Sequence, residues 1–364
     1  MARSVQRKSS DTSRARRKRA MLWSYLIILV AILVLPMSGY LYTYLSPQTA
    51  QAAAKQETNP RANFWRAVRG GDPGYTSESG PYTTNVLIQN GGQNWREIRN
   101  GPVVAYGAGL MGIMLAAIIA FYLFRGQVRL EGGRSGVRVP RWTMNDRMLH
   151  WITAVTFIIL AITGLSLLYG RAVLIPVLGL EGFSLVAAAF KFVHNLFGPI
   201  FVVALVFMIL SFMRGNLPEK GDLKWLLDGG GLLGKHVSSG RYNAGEKIWF
   251  WVVVTMGLIA SITGLILDFP VFGQTRGVMQ WSQTIHAIST IIFVTGSFGH
   301  IYIGTLGMEG SLEAMTQGSV DANWAKAHHD QWYEDMKRSG RVGAVEDAPG
   351  GRGSRPGAPA GHRA

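Results

Sequence analysis

Four histidines stand inside or at the ends of long apolar runs: His150, His194, His286 and His300. An ionisable side chain in a segment suited to lipid is costly to place, and it marks a functional position by default. Two of the four share one run, QTIHAISTIIFVTGSFGHIYIGT (283 to 305), which holds no carboxylate and no lysine. They are fourteen positions apart. On a helix that is a rise of about 21 Å and a rotation of about 1400°, some 40° short of four full turns. One helix would therefore present two imidazoles on nearly the same face at two depths. His150 opens an earlier run just after Arg147, at the depth expected for His300, and His194 begins a run entered from the opposite side, at the depth of His286. Two imidazoles meeting at one depth suit the axial positions of low-spin iron in a flat porphyrin. The spacing thus points to two bis-histidine haem b sites, His150 with His300 and His194 with His286. Structural hydrogen bonding between helices, or a proton or metal pathway, would use the same residue types and stays open at this level. Gly164, fourteen positions after His150, is expected to let a porphyrin approach the helix backbone, and Gly198, Gly296 and Gly299 are further candidates. His236, His328, His329 and His362 fall in loops or the tail and read as solvated side chains.

The elements that must position these residues are membrane helices. The chain of 364 residues is 48% hydrophobic and only 16% charged, which describes a membrane protein better than a soluble domain. The net charge of +15 would suggest nucleic acid in a soluble protein, whereas in a membrane protein it reflects basic loops on the cytoplasmic side. Cysteine is absent, so disulfides, thiolate-ligated clusters and covalent c-type haem are excluded from this chain. Six apolar spans are predicted: one from about 21 to 35, then 102–124, 148–169, 190–213, 248–268 and 284–306, most near the roughly 20 residues that cross the hydrocarbon. The stretches 125–147 and 214–247 are rich in arginine and lysine, while 170–189 and 269–283 carry one arginine each. The positive-inside rule then puts both termini and the two basic loops in the cytoplasm, if the first span is retained.

Residues 1–47 combine a basic start with an apolar run and read either as a cleaved signal peptide or as an anchor. Residues 48–101 read as a polar segment outside the membrane, 102–124 as an extra transmembrane helix, and 338–364 as a disordered tail. A short internal echo relates AITGLSLL (161 to 168) to SITGLILD (261 to 268), too brief by itself to establish duplication.

The stretches RMLHWITAVTFIILAITG, KFVHNLFGPI, SGRYNAGEKIWFW and SFGHIYIGTLGMEGSLEAM resemble the gamma, or cytochrome b556, subunit of membrane-bound formate dehydrogenases, over roughly 140–335. The resemblance implies an all-α membrane protein: a four-helix transmembrane di-haem cytochrome b bundle, here with two additional N-terminal hydrophobic spans. It implies an inner haem b on His150 and His300, an outer haem b on His194 and His286, and a quinone site at the RYNAGEK loop formed by Asn243, Gly245 and His300. The residues alone also allow that loop to be a helix cap made by Asn243. Implied partners are an iron–sulfur beta subunit and a molybdenum or tungsten alpha subunit, with menaquinone or ubiquinone as acceptor, in a bacterial inner membrane. Nucleic acid is not expected, and formate oxidation would lie on a partner. Arg147 or Arg141 for the inner haem propionates and Lys191 for the outer follow from depth alone. A di-haem cytochrome of a nickel–iron hydrogenase or a thiosulfate-type reductase would look similar, and a non-redox membrane anchor is the alternative from another class.

Overall fold

A computed structural model of the protein describes residues 90–230 and 237–343. The expected first span, the signal or anchor reading of 1–47, most of the 48–101 segment, His236 and almost all of the expected tail lie outside the described residues. Among them, five helices are long and apolar enough to cross a membrane: Asn94–Arg125, Met144–Val173, Ile175–Phe212, Ala244–Asp268 and Arg276–Gly307. These match the last five expected spans. The protein is an all-α multi-pass membrane protein.

In chain order, α1 (Asn90–Ile98) leads through a π turn at Arg99–Val103 into α2 (Val104–Arg125). Pro102 sits in that turn, where a residue without an N–H disturbs the regular ladder. The strand β1 (Arg138–Pro140) follows, then α3 (Met144–Val173) and α4 (Ile175–Phe212). The loop expected at 170–189 is thereby mostly helix, broken at the Leu174 turn and again at Gly179 with φ 70° and ψ 177°. Hydropathy marks the part of a helix that matches the bilayer, and the helix itself runs on past it. Next come the short α5 (Asp222–Leu227), then α6 (Ala244–Asp268) and α7 (Arg276–Tyr302). The last elements among the described residues are α8 (Ser311–Thr316), β2 (Ser319–Asp321), α9 (Ala322–His328) and α10 (Asp330–Arg338).

Local chemistry sets where the spans begin. Thr143 caps α3: its backbone N–H and hydroxyl donate to the Asp146 carboxylate at 3.1 and 2.7 Å, and its hydroxyl oxygen accepts from Asp146 N–H at 3.3 Å. That reciprocal arrangement is a capping box. Within the spans, several hydroxyls are satisfied by their own helix. Thr156, Thr163, Thr263 and Thr295 each donate to the carbonyl four residues earlier at 2.7–2.8 Å. Such groups face inward, and Ile113, Ile119, Val155, Ile162 and Leu210 on the outer faces are exposed as lipid contacts require.

The chain divides into two compact units. Of the described residues, the first unit comprises those up to Ala116 with Ile152–Ile209 and Val252–Ser297. Inside it Phe157, Phe201 and Phe293 join α3, α4 and α7, with ring centres 4.4–6.4 Å apart. Gly257 brings α6 against α4, since a Cβ there would stand 2.9 Å from Leu205 Cδ2. Tyr169 on α3 donates to the Val104 carbonyl of α2 at 3.1 Å.

The second unit comprises the described residues of Ala117–Trp151 and Leu210–Trp251 and those from Phe298 on. Strands β1 and β2 pair antiparallel in the register Arg138 to Asp321, Val139 to Val320 and Pro140 to Ser319. Around them Leu130, Val139, Val320, Trp324, Trp332 and Met336 form a small apolar core. Arg134 and Arg138 both pair with Glu313, and Asp321 caps α9 through Asn323 N–H at 2.8 Å.

Candidate functional site

Each pair of histidines expected to meet does meet, and each pair lies within one unit. In the second unit the rings of His150 on α3 and His300 near the end of α7 have centres 6.2 Å apart, with planes at 58°. In the first, His194 on α4 and His286 on α7 are also 6.2 Å apart, with planes at 80°. A metal bonded to one nitrogen of each ring, at about 2 Å per bond with the ring centre about 1.1 Å behind the nitrogen, needs facing ring centres about 6 Å apart. Both pairs satisfy that distance. Among the described residues no three or more His, Asp or Glu side chains converge as a bare cation would require. Two ligands alone suit a metal that brings its other ligands with it, as porphyrin iron does.

The surroundings of the two pairs differ. His286 Nδ1 is 2.9 Å from the Ala260 carbonyl and 3.2 Å from Thr263 Oγ1. His194 Nδ1 is 2.9 Å from Thr163 Oγ1, and the Leu160 backbone also bonds the ring. A carbonyl can only accept, so the His286 proton sits on Nδ1; Thr163, whose own proton goes to the Ile159 carbonyl, asks the same of His194, and the Nε2 lone pair of each ring is left for a metal. Gly164 faces an imidazole here: a Cβ on it would stand 3.0 Å from His194 Cε1, and one on Gly264 would stand 3.2 Å from His286 Cε1. Gly198 and Gly299 have open space where a Cβ would stand. In the other pair His150 Nδ1 is buried with no hydrogen-bond partner among the described residues, while His300 stacks face to face on Trp249, centres 4.9 Å apart and planes at 14°.

Sequence reading singled out neither Thr163 nor Thr263. Threonine is common in membrane helices, and the one signal was the Ile-Thr-Gly-Leu echo at 162–165 and 262–265, which places the same pair beside one imidazole on each of two helices.

The RYNAGEK loop is a tightly bonded joint in the second unit. Asn243 is the N-cap of α6: its Oδ1 accepts from Glu246 N–H at 2.9 Å and its own N–H donates to Glu246 Oε2 at 3.1 Å. The capping reading is therefore present in the geometry. Gly245 lies under Trp225, whose ring would be 3.2 Å from a Cβ. Lys247 is buried and bonds Glu219 and Asp222 at 3.0 Å. Arg241 donates to the Arg141 carbonyl at 2.9 Å.

Arg141 and Arg147 are likewise engaged. Arg147 donates to the Met315 and Thr316 carbonyls at 3.1 and 2.6 Å. Buried Arg141 donates to Glu246 Oε1 at 2.8 Å and lies 5.1–5.4 Å from the ring centres of Trp142, Trp324 and Trp332. Burial holds its pKa below the usual guanidinium value, opposed by Glu246. One of its nitrogens, Nη1, is buried without a hydrogen-bond partner among the described residues.

His329 overturns the expectation of a solvated side chain, since it is 1% exposed. Its Nδ1–H donates to the Gly240 carbonyl at 2.9 Å, its Nε2 is 3.7 Å from Glu246, and it packs on Trp324 and Trp332. Burial, then the Arg141 charge, hold its pKa well below 6.5 and keep it neutral.

Residues 141–318 match the family described as prokaryotic cytochrome b561. The chain is 32% identical over 208 residues to the nitrate-inducible formate dehydrogenase cytochrome b556(Fdn) subunit of Escherichia coli strain K12, covering 55% of this chain and 93% of that protein. It is 26% identical over 206 residues to the formate dehydrogenase cytochrome b556(fdo) subunit of the same strain, covering 55% and 94%. It is 27% identical over 231 residues to the formate dehydrogenase cytochrome b556 subunit of Haemophilus influenzae, covering 57% and 92%.

Proposed function

The chain belongs to the family of formate dehydrogenase cytochrome b subunits, and on that premise we propose that it holds two b haems, one on His150 and His300 and one on His194 and His286. The observation that carries the reading is the pair of equal 6.2 Å separations, each between rings on two different helices. A bound b haem supplies reversible one-electron transfer, which couples a one-electron donor to a two-electron acceptor. The chain would sit in a bacterial inner membrane with its basic loops inward. It would accept electrons from an iron–sulfur beta subunit served by a molybdenum or tungsten alpha subunit. Quinone, menaquinone or ubiquinone, would be reduced on the cytoplasmic side.

Asn243, Gly245 and His300 are the proposed quinone residues. With Asn243 Oδ1 committed to the cap, its Nδ2 is the group left to donate to a quinone carbonyl, and the first-turn N–H of Gly245 is one that α6 cannot satisfy itself. His300, stacked on Trp249, gives the pocket a flat aromatic wall. The engagement of Arg147 with the Met315 and Thr316 carbonyls argues against a propionate role for it, and Arg141, whose Nη1 is unpaired among the described residues, is the better candidate.

The test is anaerobic addition of formate to the purified complex. We expect a reduced b-type spectrum amounting to two haems per copy of this chain, reoxidised by added quinone. Haem reduced by hydrogen or a sulfur donor but not by formate would assign the chain to another complex, and a haem-free preparation from haem-replete cells would leave only an anchoring role.

A further inference from the structure

The echo Ile-Thr-Gly-Leu at 162–165 and 262–265 builds the same device twice. On α3, Thr163 donates its hydroxyl to the Ile159 carbonyl at 2.8 Å, and on α6, Thr263 donates to Ile259 at 2.7 Å. With its proton so placed, each hydroxyl turns a lone pair toward an imidazole, Thr163 to His194 Nδ1 at 2.9 Å and Thr263 to His286 Nδ1 at 3.2 Å. The backbone three residues before each threonine, Leu160 and Ala260, bonds the same ring. The glycine that follows each threonine leaves room for the ring edge, since a Cβ would lie only 3.0 or 3.2 Å from Cε1. Each ring is thus fixed in tautomer, in rotation and in position.

We propose that the two Thr–Gly clamps, Thr163–Gly164 on His194 and Thr263–Gly264 on His286, are positioning residues that make the haem on this pair the lower in potential of the two. The inference rests on the haem reading above. An imidazole that donates its Nδ1–H to two oxygens gains electron density, donates more strongly to iron and favours the ferric state. Among the described residues the other pair has no equivalent. There His150 Nδ1 is buried without a partner, and the other face of the site is shaped by the stack of His300 on Trp249. A lower potential at His194 and His286 makes electron delivery toward His150 and His300 downhill, the direction quinone reduction on that side requires.

The experiment is a potentiometric titration of the purified complex, followed by optical and EPR spectra. Ring planes at 80° against 58° give the more anisotropic low-spin signal to the His194/His286 haem. In the wild-type complex that signal should titrate with the lower midpoint. Thr163→Val and Thr263→Val keep the side-chain shape and remove the acceptor. Each should raise the lower midpoint and leave the upper one in place, while Thr163→Ser and Thr263→Ser restore the wild-type value. A valine variant that retains both haems with an unmoved lower midpoint overturns the clamps and leaves the haem reading intact. So does a wild-type complex in which the more anisotropic signal titrates at the higher midpoint, a result that needs no variant to assemble. A wild-type complex without haem overturns the haem reading itself, and the clamps with it.

Discussion

An imidazole that gives one nitrogen to a metal is best held when the proton on the other has an acceptor, and the rings of His194 and His286 each have one within hydrogen-bond distance of Nδ1. The four histidines were legible in the sequence because a polar ring in an apolar run has few uses. Their supports were not, because a threonine bonding its own helix looks the same whether or not it also meets an imidazole. His329 was misread for a related reason: its distance from the spans says nothing of burial, which comes from Trp324, Trp332 and the loop at Gly240. That burial has a consequence with pH. His329 is held neutral, its pKa well below 6.5 through burial and the Arg141 charge, with His328 adding to the depression and Asp330 opposing it. The unfolded chain therefore takes up a proton below about 6.5 that the folded unit refuses. The associated stability is present above that pH and lost as pH falls below it. We expect the hydrogen-exchange protection of the Val139 and Val320 amides of the full protein, corrected for the intrinsic pH dependence of exchange, to fall between pH 7 and pH 5, and His329→Gln to weaken that dependence. Exchange protection that stays level across this range would contradict the account.

At the scale of elements, the spans were legible from hydropathy and the ends were not. Helices α4 and α7 start outside the apolar windows, at Ile175 and Arg276, where capping and turn chemistry decide and lipid does not. The RYNAGEK joint shows how two roles overlap at one residue. Asn243 starts α6 by a capping box with Glu246, and the same side chain is the proposed quinone donor. Substitution can separate the two. Asn243→Asp keeps an N-cap acceptor and loses the amide donor, whereas Asn243→Ala loses both and costs about 1 kcal/mol of helix stability. We expect both variants to retain both haems and their reduction by formate, and both to lose quinone turnover at least tenfold. Normal turnover in the aspartate variant would assign Asn243 to capping alone.

For the whole molecule, composition excluded most alternatives before any motif was read. A chain without cysteine cannot hold an iron–sulfur cluster by thiolates, which leaves histidine as the main candidate ligand for a redox metal. The fold class followed from the spans, and the division into two units did not, because it depends on which helices pack and not on where they lie along the chain. The small core of Trp324, Trp332, Val139 and Val320 was illegible for the same reason, its parts being separated by some 180 positions. The central claim concerns pairing, and haem content and EPR of complexes carrying single histidine substitutions test it most directly. His150→Ala and His300→Ala should each remove the same low-spin signal, and His194→Ala and His286→Ala the other, leaving one haem in every case. If substituting His150 and His286 removed one signal and His194 and His300 the other, or if all four variants kept both haems, the account would be contradicted.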